Sequence, residues 1–153
     1  MKPLLNILST ILIAANIVVG TPAISASMES YLPLETRQGN VSFVSGGIGQ
    51  SEAMTFQNAA EQFPLEIEFV MKDDPRNAFL ANVNVVIRDH AGKAVLRTVS
   101  QGPFLLATLP QGKYWITANL DGIIQREAIH VRDNKHVKTV LVWPKSTRLD
   151  SND

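Results

Sequence analysis

Leu65-Glu66-Ile67-Glu68-Phe69-Val70-Met71 sends Leu65, Ile67, Phe69 and Met71 to one side of an extended chain and Glu66 and Glu68 to the other. Successive side chains of a strand leave opposite faces, so this alternation is the mark of a strand with one dry side and one wet side. The rhythm begins after Pro64 and continues downstream. Val83, Val85 and Ile87 alternate with Asn82, Asn84 and Arg88, and Lys93 to Val99 runs back. Phe104–Thr108 follows; Tyr114, Ile116, Ala118 and Leu120 share an apolar face; Ile123–Val131 and His136–Trp143 complete the run. Turn formers separate these segments at Asp73–Asn77, Asp89–Gly92, Gly102-Pro103, Pro110–Gly112, Asp121-Gly122 and Arg132–Asn134. Asp121-Gly122 is the strongest hairpin signal, because a two-residue hairpin turn needs positive φ, which Asp and Gly tolerate. Seven short strands spaced by about 8–12 residues predict a mainly β protein built as a seven-stranded antiparallel β-sandwich. A parallel α/β sheet would need crossover helices, and the chain after residue 64 has no room for them.

Upstream of Pro64 the pattern is different. Val41-Ser42-Phe43-Val44 predicts a short strand, and Gly46-Gly47-Ile48-Gly49 a glycine loop. Ser51 to Gln62 carries helix formers without alternation, so a short helix capped by the Ser51 hydroxyl is expected. Residues 27–40 show no period and read as a flexible leader, and the polar tail 145–153 reads as disordered. The organisation is thus a signal peptide over 1–26, the leader, a glycine loop with a short helix over 41–63, a sandwich over 64–144, and the tail.

The signal assignment rests on order. Lys2 supplies a positive start, Leu4 to Gly20 is mostly apolar, and Gly20, Pro22 and the small run Ala23-Ile24-Ser25-Ala26 follow. An export signal has this sequence of regions, with cleavage expected near Ala26. The apolar stretch is short for a bilayer span and holds Asn6, Ser9, Thr10 and Asn16, so no membrane span is expected after cleavage. The predicted location is the bacterial periplasm or beyond.

Composition narrows the function. The 153 residues carry 14 basic and 14 acidic side chains and no cysteine. Zero net charge gives no footprint for a phosphate backbone, so nucleic acid is not an expected partner. Without cysteine there are no disulfides, thiolate nucleophiles or cysteine-ligated metals.

The stretch Gly102-Pro103-Phe104-Leu105-Leu106-Ala107-Thr108-Leu109-Pro110-Gln111-Gly112-Lys113-Tyr114-Trp115-Ile116-Thr117-Ala118 resembles the carboxypeptidase regulatory-like domain. In that family a strand ending in Leu-Pro-x-Gly-x-Tyr leads into the next, and a pair such as Asp121-Gly122 turns the following hairpin. Ile87–Lys93 looks like the family's turn between its second and third strands, and the likeness spans about residues 65–143. The glycine segment also looks like that of small exported bacterial proteins carrying this domain. The resemblance implies a prealbumin-like (transthyretin-like) sandwich used as an accessory or binding module, without a catalytic set. The fold also includes hydroxyisourate hydrolases, which end in Tyr-Arg-Gly-Ser; this chain ends Leu149-Asp150-Ser151-Asn152-Asp153, which speaks against that activity.

Candidate sites are few. Gly46, Gly47 and Gly49 can cradle an anion ahead of a helix, with Glu52 in its first turn, although a turn or a close backbone crossing is the simpler reading. The third glycine of a dinucleotide fingerprint and the Lys-Ser/Thr of a P-loop are missing. Trp115 stands in the outward phase beside Thr117 and Asn119, where it is a sugar-stacking platform, an interface anchor, or, more simply, a residue packed beneath the glycine loop or helix. Tyr114 keeps the apolar phase and is expected to be structural, its hydroxyl reaching backbone; Trp143 is expected to close the core. His90, His130 and His136 show no ligand spacing, and they read, with Glu66 and Glu68, as solvated strand residues. Catalytic residues, metal and cofactor are each predicted as none. The function expected is a non-enzymatic binding module for a protein or carbohydrate partner. The alternatives are a small periplasmic hydrolase and a purely structural envelope protein. The hydrolase would have to place His130 or His136 beside a carboxylate in a concave pocket.

Overall fold

The computed structural model describes residues 31–145. The signal peptide, its cleavage point, the start of the leader and the end of the tail lie outside the described residues. Within them the protein is mainly β, with two sheets and one short helix. The strands are β1 (Thr36–Gln38), β2 (Val41–Gly46), β3 (Leu65–Met71), β4 (Ala78–Phe79), β5 (Asn84–Asp89), β6 (Ala94–Val99), β7 (Phe104–Thr108), β8 (Gly112–Leu120), β9 (Ile123–Val131) and β10 (Val137–Trp143). Helix α1 spans Gln50–Ala59 and runs on into a single 3-10 turn over Ala60–Gln62.

One sheet is ordered β1-β2-β7-β3-β10, with β4 against β3; the other is β6-β5-β8-β9. Alternation gives each sheet an inner apolar face, and the two faces share one core. Phe43, Leu65, Ile67, Phe69 and Leu105 enter it from the first sheet, and Val85, Ile87, Leu96, Ile116 and Ile129 from the second. Each such side chain contributes about 1.5–3 kcal/mol when removed from water, so this seam holds the sheets together. Trp143 is fully buried at its edge and donates its indole N–H to the carbonyl of Ile123 at 2.9 Å. Tyr114 is buried, and its hydroxyl donates to the carbonyl of Pro110 at 2.8 Å, pinning the turn before β8. At the β8–β9 hairpin Asp121 and Gly122 both take positive φ.

Three expectations are corrected. The sandwich does not start at residue 64: β1 forms inside the predicted leader, and β1 and β2 are integral to the first sheet. The strands number ten among the described residues, because β1, β2 and the two-residue β4 add to the seven read from the rhythm. The sheets are not purely antiparallel either. β10 pairs with β3 in parallel, from Val137 beside Leu65 to Trp143 beside Met71. The Arg132–Asn134 turn hands the chain from one sheet to the other, so β10 enters beside the start of β3 and points the same way.

The first sheet is also covered on its outer face. Val44, Phe104 and Leu106 point out of it and meet Phe56, Ala59, Ala60 and Phe63 from the helical segment in a second, smaller core. Phe56 and Phe104 stack with ring centroids 6.1 Å apart. The helix is therefore held by burial of one face rather than by propensity alone. It is not capped by Ser51: the N-cap is Gly49, which makes no side-chain cap bond.

Candidate functional site

The glycine loop joins β2 to α1, and its composition follows from what crowds it. A Cβ on Gly46 would run into the Glu52 carboxylate and the Phe56 ring, and one on Gly47 into the Phe104 ring. Opposite, a Cβ on Gly102 would strike the backbone of Gly46. Gly47 also has φ of 95° and Gly49 φ of 84° with ψ of 159°, backbone conformations that side chains disfavour. The close backbone crossing is thus what the glycines are for. Glu52 occupies the third position of the helix and reaches back, accepting the amide of Ile48 at 3.0 Å, a variant of the capping box. The acceptor that a bound anion would have supplied is this protein's own carboxylate.

Beside the loop lies an open groove of about 620 Å³, floored by Gly47, Gly49, Ala53 and Pro103. Its walls are Ile48, Met54 and Phe79, which are 65%, 54% and 52% exposed. The lining is predominantly apolar. Phe79, on β4, leans against Phe104 with ring centroids 5.7 Å apart, so the groove wall stands directly on the second core. Of the predicted binding residues, Gly47 and Gly49 line this groove, whereas Gly46 and Glu52 pack against each other beneath the loop and do not line it. Ile48, Met54 and Phe79 were not singled out by sequence reasoning; the only signal was three apolar residues in stretches without strand rhythm.

Trp115 is elsewhere. It lies on β8 in the other sheet, 48% exposed, whereas the helix covers the first sheet. The expectation that it packs beneath the loop or helix is overturned.

A second concavity, about 540 Å³ and polar, is lined by Glu61, Gln111, Arg132, Asp133, Lys135 and His136. Here the reading of Glu66, Glu68 and His136 as solvated strand residues fails for all three: Glu66 is buried at 3% exposure, and Glu68 and His136 are half-buried. The ring of His136 spans two acceptors, with Nδ1 2.8 Å from the carbonyl of Phe63 and Nε2 3.2 Å from Oε2 of Glu66. The other Glu66 oxygen accepts from Lys138 Nζ at 3.0 Å, and Lys138 also reaches Glu68 at 3.1 Å. Partial burial works against the Lys138 ammonium, but its hydrogen bonds to the two carboxylates outweigh that and raise its pKa. Elsewhere, burial, reinforced by the negative charge of Asp89, raises the pKa of the Tyr114 phenol. His90 and His130 remain exposed. Among the described residues no cluster of three His, Asp or Glu side chains is arranged to hold a metal.

Among the described residues no helix is long and apolar enough to cross a membrane. No protein-family model matches the sequence, and no curated protein matches it.

Proposed function

We propose that this protein is a non-enzymatic binding module of the carboxypeptidase regulatory-like type, a prealbumin-like sandwich working in the bacterial envelope. Its working surface is the groove beside the glycine loop, and its ligand is a protein segment that inserts an apolar side chain. The observation that carries this reading is the exposure of Ile48, Met54 and Phe79 around one concavity on a rigid base. Exposed apolar side chains gathered in a concavity mark interaction sites, and a partner that dries them gains roughly 25 cal/mol per Å² of apolar surface. The rigid base matters as well, because a wall that is already ordered loses little entropy on binding.

Panning a random peptide library against the immobilised protein tests this. Enriched peptides should share an apolar anchor and lose binding to Phe79→Asp. Polar enriched sequences, or binding indifferent to both Phe79→Asp and Met54→Asp, would overturn it.

A hydrolase at the polar cleft is the second reading, favoured by His136 beside Glu66. Against it, both ring nitrogens of His136 already face protein acceptors, so neither is turned to a substrate. Turnover of small esters or amides that disappears in His136→Asn would establish this reading instead.

A further inference from the structure

The outer face of the four-stranded sheet is cationic, although the chain as a whole is neutral. Trp115 stands near its middle. Arg88 is its direct neighbour on β5, Lys113 lies two residues before it on β8, and Arg126 is on β9 opposite Thr117. Arg97, on β6 opposite Val86, extends the same face by one strand. All four cations are exposed, and among the described residues none is in an ion pair. Strands lie about 4.8 Å apart and alternate residues about 6.7 Å along a strand, so Arg88, Lys113 and Arg126 stand within side-chain reach of the indole and Arg97 lies one strand further out. Arg88 Nη1 also donates to the carbonyl of Gly92 at 2.9 Å, which leaves its charge unneutralised.

Among the described residues no carboxylate shares the face. Glu127 pairs with Ile116 and so has the inward phase at the sheet edge. Asp89 pairs with Tyr114 in that same inward phase, and its Oδ1 is taken by the amides of Ala91 and Lys93. Four unneutralised cations around a half-exposed aromatic ring make a local positive field that the summed charge hides.

We propose that this face binds an anionic glycan. A sugar ring lays its C–H face on Trp115 while its carboxylate or phosphate is taken by Arg88 or Arg126, whose planar forks match either group. A nucleic-acid strand fits less well, because sequential bases stack on several aromatics and, among the described residues, this face presents one. The face is on the opposite sheet from the apolar groove and does not depend on it.

Calorimetric titration of the full chain with oligogalacturonate, phosphorylated dextran, neutral dextran and oligothymidylate tests the proposal, the first two separating carboxylate from phosphate. At least one acidic glycan should bind and neutral dextran should not. Trp115→Ala should weaken that binding about tenfold, comparable with loss of one aromatic stacking platform. Arg88→Gln with Arg126→Gln should weaken it about fivefold, the scale of two exposed ion pairs. Phe79→Asp should leave it unchanged, which separates this face from the groove, and unfolding midpoints confirm that each variant is folded. The proposal is overturned if neither acidic glycan binds, if both sets of variants bind like the parent, or if oligothymidylate binds more tightly than either glycan.

Discussion

Nε2 of His136 stands 3.2 Å from Oε2 of Glu66, joining two residues seventy positions apart across the start of the parallel β3–β10 pair. The same carboxylate is held by Lys138, so one buried acid on β3 ties the last strand to its neighbour within the first sheet. Glu66→Ala leaves Lys138 its bond to Glu68 but takes the Nε2 partner from the half-buried His136, and should cost about 2 kcal/mol. Urea unfolding measures it; a loss below about 1 kcal/mol, the scale of an exposed pair, would show that the cluster contributes little.

Alkaline stability follows from the two raised pKa values. Lys138 and Tyr114 each hold their proton more tightly folded than unfolded. Their contributions are therefore complete below the unfolded values of about 10 and are lost as pH climbs through the folded ones. Unfolding midpoints should fall above about pH 10, and the double variant Tyr114→Phe with Lys138→Met should show a shallower fall. An identical fall in that variant would assign the alkaline loss to other groups.

Tyr114→Phe at neutral pH isolates a single bond. Its hydroxyl donates to Pro110 from a buried ring, and deleting it should cost about 1 kcal/mol with the ring's packing intact. Thermal unfolding reads this directly. No change would mean that water replaces the bond without loss.

The glycine loop separates strain from collision. A Cβ at Gly49 meets open space, so Gly49→Ala should cost about 2 kcal/mol, from backbone conformation alone. Gly47→Ala adds a clash with the Phe104 ring and should cost about 4 kcal/mol. Equal losses, measured by urea unfolding, would contradict the close packing described for the loop.

Much of the architecture was legible because alternation and turn chemistry agree. β7 and β9 have the bounds the sequence predicts, set by Gly102-Pro103, Pro110 and the Asp121-Gly122 hairpin. Glu66 was misread because alternation says only that it leaves the inner face. The outer face there is itself closed by His136 and Lys138, which belong to a strand that local pattern cannot pair with β3. The phase of Trp115 was legible, but not which sheet the helix would cover. The cationic face was hidden altogether, because its residues come from four strands and disappear into a zero sum.

The central claim, that the groove beside the glycine loop is the working surface, is tested most directly by photo-crosslinking in cells. A photoreactive residue at Met54, compared with one at the exposed Asp121 turn, should give a discrete adduct from position 54 alone, abolished by Phe79→Asp. The same adducts from both positions, or none from position 54, would contradict it.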